Sequence, residues 1–226
     1  MKVIGINASP RKGWNDDTLM HKALEGAASV GAETEAINLY GLNYKGCYSC
    51  FACKRKGNTC NGLCAIKDEL RPVLEKILAA DALVVASPNY LGYPTGMLRS
   101  MIERLLYPST SYNSKGGKHE GSLMKKILPT GVIFTMNSSP EFYGVMNYET
   151  TLGTTTENFR YIFGYAEQYN CYSTKQFKDY SQMEASMFDA EEIQKRHETI
   201  FPEDEKNCYD MGIRLVEQAK TLNGKD

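Results

Sequence analysis

Cys47, Cys50 and Cys53 are spaced two residues apart, and Cys60 and Cys64 follow them closely. Two-residue gaps let thiolates converge on one centre. A [4Fe–4S] cluster needs four such ligands, and a closed zinc site also takes four. Beyond Cys47, Cys50 and Cys53, a fourth ligand is available twice over, from Cys60 or from Cys64. At this point three readings are open: a [4Fe–4S] cluster, a structural zinc, or free thiols in a loop that shapes a pocket.

A second group of chemical residues lies near the N-terminus. The apolar strand Val3-Ile4-Gly5-Ile6-Asn7 runs into a polar loop holding Ser9, Pro10, Arg11, Lys12, Asn15, Asp16, Asp17 and Thr18, and a helical pattern begins at Leu19. A helix start at the carboxyl edge of a sheet offers free N–H groups to an anion. Ser9 and Thr18 add hydroxyls, Asn15 an amide, and Arg11 and Lys12 positive charge. The loop has neither the glycine spacing of a dinucleotide fingerprint nor that of a Walker loop, so it reads as a different kind of phosphate site.

Alternating patterns supply the scaffold. A helix is expected from Thr18 to Val30, a strand from Glu33 to Tyr40, and a Cys-rich insertion loop over about 43–67. A loop of that length inside a domain is usually functional or metal-organised. Helix from Asp68 to Ala79 precedes the unbroken apolar run Ala82–Ala86, the mark of a strand covered on both faces. A helix near Thr95, a strand Gly131–Met136, a loop Asn137–Tyr148, a helix Glu149–Phe163, a strand Gln168–Ser173 and a closing helix Lys206–Leu222 complete the order. Strands alternating with helices predict an α/β, flavodoxin-like three-layer sandwich. Its five-stranded parallel sheet would run in the order 2-1-3-4-5, with a ligand at the switch between the first and third strands. Three loops would meet there: Ser9–Thr18, Ser87–Pro94 and Asn137–Tyr148.

The 226 residues, with no internal repeat or linker, read as a single domain over 1–226. A formal charge of −1 argues against a nucleic-acid surface, and no apolar stretch approaches a membrane span. With no export signal read, the seven cysteines are expected as thiols or ligands, and the protein as cytoplasmic. His21, His119 and His197 form no motif and read as surface residues; no catalytic side chain is assigned.

Three stretches carry a resemblance: Ser9-Pro10-Arg11 with Asn15; the cysteine segment ending in Ile66-Lys67-Asp68-Glu69; and Ser87-Pro88-Asn89-Tyr90-Leu91-Gly92 through Leu98 and Glu103-Arg104. Together they resemble the flavodoxin-like NAD(P)H-dependent FMN reductase family, particularly its iron–sulfur flavoprotein branch. That branch has a modest gap before its fourth cysteine, so the resemblance implies the ligand set Cys47, Cys50, Cys53 and Cys60, although Cys64 stands where many relatives place their last cysteine. The resemblance implies that Ser9, Arg11 and Asn15 hold the FMN phosphate and that Pro88, Asn89, Tyr90, Leu91 and Gly92 lie along the flavin ring. Thr135, Met136 and Asn137 are candidates for its remaining side, on position alone. Asp16 departs from the family, which usually has Thr or Ser there. A carboxylate about 4 Å from a phosphate costs several kcal/mol. The expectation is that Asp16 and Asp17 turn away to serve the helix N-terminus, leaving backbone N–H groups and Thr18 for the phosphate.

The resemblance further implies electrons taken from NAD(P)H and passed to a small acceptor: a quinone, a nitro-compound or free flavin. The alternative is a carrier relaying single electrons between a ferredoxin-like partner and FMN through the cluster; a thiol-based redox sensor is a third reading. Family members assemble as homodimers or homotetramers, and Tyr107–Ser122 and Phe142–Tyr148 are the stretches expected to meet a second subunit.

Overall fold

The computed structural model describes residues 1–112 and 121–224. His119 and most of the polar part of Tyr107–Ser122 therefore lie outside the described residues. The strands are β1 (Lys2–Asn7), β2 (Glu33–Asn38), β3 (Ala82–Pro88), β4 (Thr130–Thr135) and β5 (Ala166–Cys171). The helices are α1 (Asn15–Ser29), α2 (Leu70–Ala79), α3 (Gly96–Ser109), α4 (Pro140–Val145), α5 (Tyr148–Phe163), α6 (Ala190–Thr199) and α7 (Phe201–Asn223). All strand pairs are parallel, in the order β2-β1-β3-β4-β5.

Residues of β3 and β4 are almost wholly buried, as the unbroken apolar runs require of strands covered on both faces. One face packs Ile4, Ile6, Leu83 and Val85 against side chains of α2, α3 and α5; the other packs Val3, Val84 and Ile133 against α1 and α7. α1 and α7 touch through backbone. A Cβ on Gly26 would lie 1.9 Å from the Tyr209 carbonyl oxygen, and one on Gly212 1.8 Å from that of Ala23. That contact fixes the axis of α1, and so its N-terminus, against the sheet edge.

Several boundaries depart from the sequence reading. α1 starts at Asn15 rather than Thr18, because Asp16 and Asp17 fall in its first turn, where carboxylates favour the helix dipole. Its N-cap position is Trp14, with no side-chain capping bond. Within the expected loop 137–148 lies the short α4, with Pro140 in its first turn and Ser139 accepting from the Phe142 N–H at 3.2 Å. The polar stretch 175–205 contains α6, capped by Asp189, and the start of α7. No helix among the described residues is long and apolar enough to cross a membrane.

Candidate functional site

The loops after β1, β3 and β4 converge on a cavity of about 270 Å³ at the carboxyl edge of the sheet. It lies where the strand order reverses, with β1 between β2 and β3. Strand-end side chains hold the loops in place. The Asn7 carbonyl oxygen Oδ1 accepts from the Ser9 N–H at 2.9 Å, and Ser9 Oγ accepts from the Arg11 N–H at 3.2 Å. Thr95 ties two loops together: its hydroxyl donates to the Ala8 carbonyl at 2.9 Å, and its N–H donates to Ser87 Oγ at 3.1 Å. Asn89 donates its N–H to the Thr135 carbonyl at 2.8 Å, so the loop after β3 stays hydrogen-bonded to β4.

Of the residues singled out from sequence, Ser9, Arg11, Asn15, Asp16, Pro88, Asn89, Tyr90, Thr135, Met136 and Asn137 line this cavity. The other five do not. Asp17 braces the loop from behind, accepting from the Asn7 amide at 3.0 Å and the Gly13 N–H at 2.7 Å. Lys12 and Thr18 face a neighbouring recess. Leu91 is 92% exposed with φ +56°, and Gly92 shapes the turn instead of lining the wall. Gly92 has φ +89°, and a Cβ there would meet the Tyr148 ring at 2.8 Å; its N–H donates to Asn89 Oδ1 at 2.7 Å.

Asp16 corrects the expectation most sharply. Asp17 turns away from the cavity, though to Asn7 and the Gly13 N–H instead of the helix N-terminus, and Asp16 is buried in the cavity wall, only 4% exposed, with Oδ1 accepting from Thr135 Oγ1 at 3.0 Å. Burial is the chief cause of a carboxyl pushed up to about 7; the hydrogen bonds from Thr135 and Ser9 oppose that rise, and the Asp17 charge adds to it. Below that pH the group is a neutral acid, able to donate to an anion.

Sequence reasoning missed one wall. Trp14 and residues Thr174, Lys175, Gln176 and Phe177 also line the cavity. Arg11 donates to the Gln176 carbonyl at 2.6 Å and Asn15 to the Lys175 carbonyl at 3.0 Å, so this segment lies over the loop after β1. The Arg11 guanidinium also stacks on Trp14, 4.2 Å from the ring centroid. No motif marks 174–177; the lone tryptophan inside a ligand-type loop was the available signal.

The donor set fits a flavin phosphate at one end, with a hydroxyl, an amide, a guanidinium and the start of α1, which has no side-chain cap. Pro88, Tyr90 and Met136 give the other end an apolar wall. No side chain there is placed as nucleophile. His21 pairs with Asp17 at 3.7 Å on α1, and His197 lies on α6, outside this cavity.

The cysteine segment is arranged differently. Arg104 on α3 is fully buried and clasps Asp68 with two bonds, of 2.5 and 2.8 Å. The same guanidinium donates to the carbonyls of Lys45 and Ile66, which closes the two ends of the loop. It also holds the Asp68 carboxyl below its ordinary range. Between those ends Cys47 and Cys50 are exposed, Cys53 and Cys60 half-buried, and Cys64 packed in the core. Burial, with smaller contributions from Cys60 and Cys64, pushes the Cys53 thiol up. Among the described residues no three His, Cys, Asp or Glu side chains form a metal-binding group, so the thiols as placed do not fit a cluster or a zinc.

Comparison with known proteins agrees with this layout. An iron–sulfur flavoprotein of Methanosarcina thermophila is 35% identical over 104 residues, 46% of this chain and 52% of that protein. One from Archaeoglobus fulgidus is 38% identical over 104 residues, 46% of this chain and 48% of its own length. The match thus spans about half the length of these relatives. Among solved structures, the NAD(P)H:quinone oxidoreductase from Methanothermobacter marburgensis superposes with TM-score 0.66 at 15% identity, covering 95% of this chain and 96% of that one, a likeness of fold. The family model described as NADPH-dependent FMN reductase matches residues 1–128, which hold β1 to α3, two of the three cavity loops and the cysteine segment. By fold, site position and sequence together, this chain belongs to the NADPH-dependent FMN reductase family.

Proposed function

We propose that the protein is an FMN-dependent oxidoreductase that takes electrons from NAD(P)H and passes them to a small acceptor such as a quinone, a nitro-compound or free flavin. The observation that carries this reading is the cavity at the β1/β3 switch point, lined by phosphate-type donors of the loop after β1 and by the apolar Pro88, Tyr90 and Met136. Bound there, FMN would supply the hydride chemistry, which the protein itself does not need to perform.

The chain's own side chains bind and orient. Ser9, Arg11, Asn15 and the first-turn amides of α1 would hold the phosphate. Pro88, Asn89 and Tyr90 would set the plane of the ring, with Thr135, Met136 and Asn137 on the other side. Asp16, neutral below about pH 7, keeps a proton at the phosphate end in place of the usual hydroxyl. The segment 174–177 shields that end from water. All seven cysteines are free thiols, which supports a reducing, cytoplasmic setting. Phe142, Val145 and Met146 form an exposed apolar group on α4 and just after it, where a second subunit in a homodimer or homotetramer would close the site.

A second reading is favoured by the names of the relatives and the cysteine spacing: single-electron relay between FMN and a ferredoxin-like partner. It requires the loop between Cys47 and Cys64 to rearrange around a cluster. Purification without oxygen, followed by an absorbance spectrum and iron, zinc and sulfide assays, separates the readings. Flavin bands that bleach on adding NADPH, with no iron, are expected for the reductase. About four irons per chain would favour the relay. Failure to take up added FMN would overturn both.

A further inference from the structure

Beyond Asn137 the flavin cavity adjoins another space of about 580 Å³, between the loop after β4 and the segment that leads into α6. Asn137 lines both. The lining residues run from Asn137 to Arg196, so this cavity is built by the half of the chain that the family match over 1–128 does not reach. Phe142, Met187, Phe188 and Ile193 give it apolar walls.

Two lining residues carry polar atoms without partners. Arg196 commits Nη2 to Asp204 at 2.6 Å, but its Nη1 is buried and unpartnered, and so is Ser138 Oγ. Buried donors are almost always satisfied, so an open one marks the place of a missing partner. A guanidinium N–H can only donate and a hydroxyl can donate, which makes that partner an acceptor oxygen. Both atoms are closed to bulk water, so an entering oxygen reaches them through a side-chain rotation at the wall. Phe142 and Met187, 49% and 84% exposed, leave room for one. Charge narrows the occupant further. The Arg196 guanidinium is already matched by Asp204, whereas Asp189 and Glu192 bring exposed carboxylates to the cavity. The first amides of α6 are taken as well, since Asp189 accepts from the N–H groups of Glu191 and Glu192. An anionic occupant would meet net negative charge, and an uncharged one would not.

We propose that this cavity seats the electron acceptor and selects an uncharged aromatic carbonyl compound over an anionic one, with Arg196 and Ser138 as the donors that read its oxygen. The acceptor role rests on the flavin reading, since Asn137 is the wall shared with the flavin cavity. A space of this size takes most of a small fused-ring molecule. Binding energy from the non-reacting part of such a molecule orients its reacting end toward the flavin. Among small acceptors, the charge pattern separates uncharged carbonyl compounds from carboxylates, sulfonates and phosphorylated flavins.

Calorimetric titration of the full chain with acetylnaphthalene, naphthoate and ethylnaphthalene, before and after FMN loading, tests the site. The probes share one ring system and differ in carrying a carbonyl, a carboxylate or no oxygen. The ketone should bind about tenfold more tightly than either of the others. Ser138→Ala should weaken the ketone about fivefold and leave ethylnaphthalene unchanged, a split that loss of packing alone would not give. Glu192→Lys, at an exposed position, should tighten naphthoate several-fold without altering the ketone. FMN affinity should be unchanged in both variants. Arg196 is left in place, because its pair with Asp204 is mostly buried. In NADPH-driven reduction of naphthoquinone by the loaded protein, the ketone should raise KM for the quinone and leave kcat as it was. Equal binding of ketone and naphthoate, no response to either substitution, or inhibition that the quinone does not relieve overturns the proposal. Ketone binding by protein that takes up no FMN would count against the flavin reading instead, because the first titrations are read without it.

Discussion

The loop after β1 and the cysteine loop between β2 and α2 both carry the residue types of a site, yet the fold treats them differently. The first is held along its length. Asn7, Ser9, Asp17 and Thr95 bond to it at successive points, and Asp16 is buried against Thr135 on β4. The second is clasped at its ends by Arg104 and tied to α3 midway, where Lys54 donates to the Thr110 carbonyl and Ser109 Oγ to the Gly62 carbonyl, yet its first two thiols lie in solvent, with left-handed backbone at Ser49, Phe51 and Asn61. A loop at a strand end inherits its geometry from the sheet; an insertion must be organised by something else. Preformed donors are therefore expected at the first loop and not at the second.

That contrast can be broken at its anchors. The largest effect is expected from Arg104→Ala. Asp68 would be left as an unpaired carboxylate beside the core, and two carbonyls would lose their donor, so we expect a loss of about 5 kcal/mol in urea unfolding. Proteolysis should then cut within 43–67 first, with FMN affinity retained in whatever fraction stays folded. Equal protection of that loop in the variant would show that its ties to α3 through Lys54 and Gly62 hold it without the Arg104 clasp.

Asp16→Asn probes the other loop. The folded-state pKa of Asp16 is raised to about 7, so its contribution is fully present below about pH 4 and is lost as pH rises through 7. At about 1.4 kcal/mol per unit, the variant should gain up to about 4 kcal/mol over the wild type at pH 8 and almost nothing at pH 4. FMN affinity of the wild type should fall several-fold between about pH 6 and 8, as ionised Asp16 faces a phosphate dianion. The variant should show a flat profile. A wild-type profile as flat as that of the variant would place Asp16 away from the phosphate.

The smallest effect sharpens the comparison from the cysteine side. Cys47→Ser and Cys50→Ser alter exposed positions, and thermal stability should move by no more than about 0.5 kcal/mol. FMN content should not change. If protein prepared without oxygen contains iron, these same changes should remove it; a stability loss above about 2 kcal/mol would show that the thiols are organised already.

Legibility followed the same division. Residues of β1, β3 and β4 announced themselves as apolar runs, and the strand order follows from alternation with helices, because crossover connections permit few alternatives. The loops at the switch point were readable for that reason, and ten of the fifteen singled-out residues reach one cavity. Lys175 and Gln176 were not readable: their backbone carbonyls, not their side chains, accept from Asn15 and Arg11, and a carbonyl has no sequence signature.

Sequence by itself determined the parallel sheet, the place of the site and the inventory of donors, since these follow from short-range hydrophobic periodicity and the chemistry of side chains. Tertiary structure alone decided which donors face the cavity. The direction of two adjacent carboxylates shows why. Asp16 and Asp17 are neighbours in sequence, but on a helix consecutive side chains point about 100° apart. One is therefore carried into a dry wall beside β4 and the other back onto its own loop. Only the packing of α1 on the sheet and on α7 sets which is which.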